Sequence, residues 1–147
     1  MTEFKHVLVP VDFGDSSRAA LDVAIDLAKR YGASLTLVHC CEIPAYGYNP
    51  LGPPVIDLLT PVQDAGRSLL EETLVELRPR FPGADAVLVT GLPADEILAA
   101  ASERRADLIV MGTHGRRGLG HVFMGSVAER VVRTSPVPVL TVRRPPA

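Results

Sequence analysis

A glycine-rich segment followed by a serine is the part of the chain best suited to chemistry. Gly112-Thr-His-Gly115 is followed by nine residues and then by Gly125-Ser126. An apolar run ends at Met111, and a pattern typical of an amphipathic helix follows Ser126. Glycines let a backbone approach a ligand closely, and the first N–H groups of a helix point at negative charge. This order of strand, glycine loop and helix N-terminus predicts a phosphate-binding site.

The spacing differs from that of the common nucleotide motifs. A P-loop has a lysine immediately before its serine or threonine, whereas Gly125 stands before Ser126 here, and the dinucleotide fingerprint is not matched either. Each glycine has the alternative explanation of a turn that needs a positive φ. Ser126 also begins Ser-Val-Ala-Glu129, a capping box that would account for both polar residues without a ligand. The two interpretations of Ser126 are compatible, since a hydroxyl at a helix start can also face a phosphate.

The loop between the glycines carries basic and imidazole side chains that would neutralise a triphosphate. They are His114, Arg116, Arg117 and His121. For Arg117 and His121 a solvated loop position is the favoured interpretation. No pair of His or Cys residues has metal-ligand spacing, so the sequence predicts no zinc or iron site.

Asp12 ends the first predicted strand and is the second candidate for a binding role. Its carboxylate can accept hydrogen bonds from a ribose or a base, or help to hold a metal beside phosphates. The alternative is a turn residue that bonds its own backbone before Gly14. The sequence shows no nucleophile elbow, no base paired with a Ser or Cys, and no second carboxylate placed to share a metal with Asp12. It therefore predicts binding rather than turnover.

Composition limits the class of protein. The 147 residues predict one domain over residues 1–147, and 47% apolar with 22% charged residues indicate an ordered core. A net charge of −2 argues against a general nucleic-acid or membrane surface, and no apolar stretch approaches the ~20 residues that span a bilayer. Cys40 and Cys41 are adjacent on a predicted strand and should face opposite sides, so no disulfide is expected. A cytoplasmic protein without a secretory signal is predicted.

Apolar periodicity alternates strand and helix along the whole chain. It predicts strands over 4–11, 34–41, 84–90, 108–111 and 137–142, and helices over about 18–31, 61–80, 93–104 and 126–133. Asp15, Ser16 and Ser17 are the candidate N-caps of the first helix. The segment from Glu42 to Pro61 is irregular, with five prolines and two glycines, and is either a lid or simply mobile. The alternation implies an α/β fold, a parallel doubly wound sheet that binds ligands where the strand order reverses.

Several of these segments together resemble the universal stress protein family over essentially the whole chain. They are Val9 to Phe13 with Ser16 and Ala20 downstream, Leu37 to His39, and Met111 to Gly115 with Gly125-Ser126. The Gly-x2-Gly-x9-Gly-Ser motif is typical of the ATP-binding branch. The resemblance implies a single-domain five-stranded parallel sheet of order 3-2-1-4-5 with helices on both faces. It also implies a cytoplasmic homodimer that binds ATP, either free or with magnesium.

Transferred by position, the resemblance implies a nucleotide site in three parts. Adenine and ribose would be surrounded by Pro10, Val11, Asp12 and Cys40. The ribose and inner phosphates would follow Met111, Gly112, Thr113, His114 and Gly115, with Arg116 beside them, and the outer phosphates would meet Gly125, Ser126, Val127 and Ala128. Cys40 stands where an aliphatic residue is usual in the family, and a thiol packs as a small hydrophobe.

The predicted last strand gives an independent reason for a dimer. Residues Val137 to Val142 would form an apolar edge, which antiparallel pairing with a second copy covers. The function implied is that of an ATP-binding stress-response regulator that changes its surface or its partners with nucleotide. The alternatives are a slow ATPase or a protein that phosphorylates itself, with Ser126 a candidate acceptor, and an interaction dimer that binds no nucleotide. A receiver-like domain is disfavoured because Asp12 is a single acid and Arg143, not a lysine, follows the last strand.

Overall fold

Within residues 3–42, 58–114 and 124–144, which the computed structural model describes, five parallel strands form one sheet. Their order is β3-β2-β1-β4-β5, which confirms the predicted topology. The elements are β1 (His6–Pro10), α1 (Asp15–Tyr31), β2 (Ser34–Cys41), α2 (Leu59–Leu77), β3 (Asp85–Thr90), α3 (Pro93–Glu103), β4 (Leu108–Gly112), α4 (Ser126–Thr134) and β5 (Val139–Val142). No helix in the described ranges is long and apolar enough to cross a membrane.

Strand β1 lies at the centre of the sheet and divides the core into two layers. Val7 and Val9 are fully buried against α1 and α2, whereas Leu8, also fully buried, packs on the opposite face. That second layer is closed by α3 and α4, through residues such as Ile97 and Val131. Each fully buried aliphatic side chain contributes about 1.5–3 kcal/mol of transfer free energy. Burial on both faces explains why β1 is almost continuously apolar.

Helix α1 begins three residues before the predicted position. Its N-cap is Gly14, with no side-chain cap, so the prediction of Asp15, Ser16 or Ser17 as N-cap is wrong. The reason lies in the turn that precedes it. Asp12 accepts the Gly14 N–H at 2.9 Å and Phe13 takes a left-handed φ of 67°, so the chain is already turned into the helix at Asp15.

The bounds of α2 and β5 also differ from the predictions. Helix α2 covers Leu59–Leu77 rather than about 61–80, because Pro61 is tolerated in the first turn, where no N–H is needed. Strand β5 begins at Val139, since Pro138 lacks an N–H and contributes only its carbonyl, which accepts the Ile109 N–H at 3.0 Å. As predicted, β5 is an edge strand. Residues 43–57, most of the irregular segment, lie outside the described residues.

Candidate functional site

A cavity of about 800 Å³ opens at the carboxyl ends of the strands, where the strand order reverses. Strand β1 has β2 on one side and β4 on the other, so the loops after β1 and β4 leave in opposite directions and a crevice forms between them. All the predicted site residues that the structure describes line this cavity: Pro10, Val11, Asp12, Cys40, Met111, Gly112, Thr113, His114, Gly125, Ser126, Val127 and Ala128. Gly115 and Arg116 lie outside the described residues, as do Arg117 and His121.

Other lining residues were not predicted from the sequence. They are Ser17, Val38, His39, Glu42, Pro93, Ile97, Met124 and Glu129. Pro93 and Ile97 come from α3, which follows the edge strand β3, so only the strand order places them beside the central crevice. Met124 directly precedes Gly125, and its position next to the motif was the signal that could have found it.

The turn after β1 is fixed by hydrogen bonds on several sides. The Asp12 N–H donates to Ser17 Oγ at 3.2 Å, and the Asp12 carboxylate accepts the Gly14 N–H. His39 Nδ1 lies 2.8 Å from the Val11 carbonyl oxygen, and because a carbonyl only accepts, Nδ1 carries the proton. Asp12 is thus both a turn residue and a lining residue of the cavity, which joins the two interpretations of its role.

The two ends of the glycine-rich loop are joined at its base. The Gly125 N–H donates to the Thr113 carbonyl at 2.6 Å, and the buried Thr113 donates its own N–H to the Val142 carbonyl at 3.0 Å. Thr113 Oγ1 lies 3.0 Å from His114 Nδ1 and orients that ring. These contacts hold Thr113, His114 and Gly125 at the cavity wall.

The glycines at the base of the loop are not explained by positive φ. Gly125 has φ −67° and ψ 160°, and Gly112 is outside the left-handed region. For Gly112 the reason is close packing on α1, because an added Cβ would lie 2.5 Å from Ser16 Oγ and 2.7 Å from the Ser16 carbonyl carbon. The close backbone approach predicted at Gly112 is therefore made to helix α1.

The N-terminus of α4 differs from the predicted capping box. Gly125 is the N-cap, no side chain caps the helix, and Ser126 is the first helical residue. Glu129 pairs with Arg133 at 3.1 Å, one turn later. The capping-box prediction is therefore wrong, because the helix starts one residue earlier than the box requires. The first N–H groups of a helix have no partner inside it, and here they belong to a segment, Ser126 to Ala128, that lines the cavity.

Cys40 is a protonated thiol at the edge of the cavity. Burial raises its pKa to about 11, with further upward contributions from the charges of Glu96, Cys41 and Glu42. Its Sγ lies 3.6 Å from the Gly91 carbonyl oxygen. Cys41 faces the other side of β2, where it is buried and where burial raises its pKa, as the alternation of a strand predicts. Cys40 therefore contributes apolar surface and a weak donor rather than a nucleophile.

The cavity has an uneven charge distribution. The N-termini of α1, α3 and α4 contribute lining residues, and each helix start carries roughly half a positive charge. Three carboxylates also line it, namely Asp12, Glu42 and Glu129. Among the residues that the structure describes, no group of three or more His, Cys, Asp or Glu side chains is arranged to hold a metal ion. The arrangement offers backbone donors for an anion at α4 and carboxylate acceptors toward β1 and β2.

Comparison with known proteins gives consistent matches along the chain. The model of the universal stress protein family matches residues 3–143. A universal stress protein of Thermus aquaticus is 39% identical over 143 residues, which cover 95% of this chain and 99% of that protein. The solved universal stress protein UspA of Lactobacillus plantarum has a TM-score of 0.83 at 28% identity and covers 97% of this chain and 100% of that one. The universal stress protein of Archaeoglobus fulgidus solved in complex with dAMP has a TM-score of 0.65 at 23% identity, over 97% and 99% of the two chains.

Proposed function

The chain belongs to the universal stress protein family, and we propose that it binds ATP in the cavity between the ends of β1 and β4. The observation that carries the proposal is that every described residue of the predicted site lines this one cavity. In this proposal the protein is a cytoplasmic stress-response regulator. Nucleotide occupancy changes its surface and so its partners, and hydrolysis has no required part.

The apolar wall of the cavity supports a nucleobase. Val38 and Ile97 are buried residues of the second core layer that line the cavity, and Pro93 lines it at the start of α3. The Cys40 thiol is uncharged at neutral pH and adds to the same wall. A flat purine ring placed here loses water from both partners, which is the usual basis of cofactor binding in largely apolar pockets. The dAMP complex of the Archaeoglobus fulgidus protein agrees with adenine as the base.

The start of α4 supports the phosphates. Ser126 and Val127 open α4, whose first N–H groups and dipole favour negative charge. His114 lines the cavity close to this helix start, because the carbonyl of its neighbour Thr113 accepts the Gly125 N–H. Glu129 is the acid nearest this helix start in sequence, and its charge is offset by the ion pair with Arg133. Asp12 and Glu42 belong to the β1 and β2 ends, where a ribose hydroxyl is the expected neighbour of a carboxylate.

We also propose that the protein is a homodimer through β5. This strand is an edge of the sheet, and Leu140 is 39% exposed on it. Antiparallel pairing with the same strand of a second copy would satisfy the outer backbone groups and cover Leu140. Sedimentation equilibrium tests this, and a monomer at tens of micromolar protein would refute it.

A second candidate function is transfer of the γ-phosphoryl group of ATP to Ser126. The observation in its favour is that Ser126 is exposed at the cavity and its hydroxyl takes no part in capping α4. The bond from Ser126 Oγ to phosphorus would form, ADP would leave, and the hydroxyl proton would pass to water. Incubation with γ-labelled ATP tests this, and a label retained by the protein but absent from Ser126→Ala would support it.

Calorimetric titration of the nucleotide-stripped protein with ATP tests the main proposal. The titration is run with and without magnesium, because magnesium bound to the triphosphate would reduce its repulsion by the cavity acids. We expect saturable binding of one nucleotide per chain, weaker for GTP. No binding at millimolar ATP would instead favour the nucleotide-free interaction dimer. Mass spectrometry of nucleotide released from freshly purified protein identifies the resident ligand.

A further inference from the structure

Ser16 occupies a junction between α1, β4 and β5 that the nucleotide site does not include. It lies in the first turn of α1, is only 5% exposed, and is not among the residues that line the cavity. A polar side chain buried to this degree is normally held by hydrogen bonds. Its partners show which parts of the fold it joins.

The Ser16 hydroxyl links the last strand to the start of the glycine-rich loop. It donates to the Val142 carbonyl at 3.2 Å and accepts the His114 N–H at 3.4 Å. The same Val142 carbonyl accepts the Thr113 N–H at 3.0 Å. Two consecutive backbone N–H groups of the loop are therefore tied, one directly and one through Ser16, to the end of β5.

The surrounding packing leaves Ser16 little freedom. Gly112 faces it so closely that a Cβ there would lie 2.5 Å from Ser16 Oγ. Gly112 is paired in register with Val142, so the strand ends and the helix start meet at one point. On the outside of this junction Arg144 Nε lies 3.6 Å from the Asp15 carboxylate.

We infer that Ser16 is a positioning residue for the phosphate-binding side of the cavity. It does not line the cavity, but its hydroxyl holds the N–H of His114, which lines the cavity next to Thr113. Without the hydroxyl the His114 N–H loses this partner, so the backbone at His114 would have to be ordered when nucleotide binds, and that ordering would lower the affinity. The base side, at Val38 and Ile97, is held by other contacts and would not change. The inference rests on the proposed nucleotide binding.

The test compares Ser16→Ala with Ser34→Ala as the matched control. Ser34 Oγ donates to the Lys5 carbonyl, also at 3.2 Å, at the opposite end of the sheet. Affinities for ATP and for adenosine are measured by competition against a fluorescent ATP analogue, and thermal unfolding of each variant is recorded. We expect Ser16→Ala to weaken ATP binding by about fivefold to tenfold, which corresponds to about one net hydrogen bond, with adenosine unaffected. Ser34→Ala is expected to bind both ligands as the unsubstituted protein does.

An equal loss for ATP and adenosine, or no loss for either, would overturn the role assigned to Ser16. If Ser16→Ala does not fold, amide hydrogen exchange of the unsubstituted protein decides. Without nucleotide the His114 amide should already be protected, because it donates to Ser16 Oγ, and exchange as fast as that of an unstructured amide would overturn the inference. Failure of the unsubstituted protein to bind ATP would refute the proposed function itself, which separates the two conclusions.

Discussion

Replacement of Gly112 by alanine tests the close approach of β4 to α1 directly. Gly112 ends β4 and faces the first turn of α1. An alanine Cβ would lie 2.5 Å from Ser16 Oγ, 2.7 Å from the Ser16 carbonyl carbon and 2.9 Å from Ser16 Cβ. Rotation of the Ser16 side chain relieves the first of these overlaps but not the second, because the second involves the backbone of α1. The helix or the strand must therefore shift.

The expected destabilisation follows from overpacking alone. Gly112 does not occupy the left-handed region, so alanine adds no dihedral strain. Inserting a methyl group into a well-packed contact destabilises by about 1–3 kcal/mol. For a domain of this size that corresponds to a fall in Tm of about 2–12 °C.

Urea unfolding followed by circular dichroism, at fixed protein concentration, measures the effect. Gly83→Ala is the matched control, because Gly83 is exposed and nothing lies within 4 Å of an added Cβ. That variant should keep its stability or gain about 0.4–1 kcal/mol through the unfolded chain. A Gly112→Ala protein as stable as Gly83→Ala would refute the close approach of α1 to β4, and with it the junction around Ser16.

Three further predictions concern the site and the acid response. Gly115→Val and Gly125→Val should each abolish ATP binding without unfolding the protein. For Gly125 this is expected because its φ and ψ are ones that any residue adopts. Unchanged affinity for ATP in these variants would mean that the phosphates lie elsewhere. The pKa of Cys40 is about 11 rather than 9.0, so its thiolate fraction at pH 8 is about 100-fold lower than that of an ordinary thiol. Alkylation of Cys40 should therefore be slow at pH 8, accelerate up to pH 11 and be retarded by ATP. Fast alkylation at pH 8 would contradict the burial of this thiol. The hydrogen bond from Arg104 lowers the pKa of Asp85, so its stabilisation is present above the unfolded value of 3.8 and lost as pH falls through the folded value. Asp85→Asn should therefore reduce the free energy of unfolding at pH 7, and reduce it less at lower pH. Urea unfolding at a series of pH values measures this, and an equal reduction at every pH would count against the prediction.

The sheet and its layers were predictable because burial leaves a strong pattern. Val7, Leu8 and Val9 are apolar in succession, and only a central strand covered on both faces needs that. The glycine-rich loop was predictable for a similar reason, since Gly125 and Ser126 stand between an apolar run and an amphipathic one. The strand order itself came from the family resemblance.

The starts of α3 and α4 were predicted correctly at Pro93 and Ser126, but the helix caps were not predictable from local rules. Ser16, Ser17 and Ser126 are good cap residues by type, yet the caps are Gly14 and Gly125. At α1 the Ser17 hydroxyl accepts the N–H of Asp12, five residues earlier, whereas the Ser16 hydroxyl is used in a contact that is distant in sequence, with Val142. Such contacts exist only after the sheet has formed, so no short window of sequence records them.

The full set of residues that line the cavity could not be predicted without the strand order, because some of them are distant in sequence. Pro93 and Ile97 are far from the glycine-rich loop in sequence, and α3 brings them beside β2 only because β3 is an edge strand. Gly112 lines the cavity, and its small size is required by the close packing on α1. A glycine in a binding motif can therefore owe its identity to packing behind the site.

A crystal structure of the protein grown with saturating ATP and magnesium is the most direct measurement of the central claim. We expect one nucleotide in the cavity, with its base against Val38 and Ile97. Its phosphates should lie within hydrogen-bond distance of the N–H groups of Ser126 and Val127. A cavity that holds only solvent under those conditions, or a nucleotide bound at another surface, would contradict it.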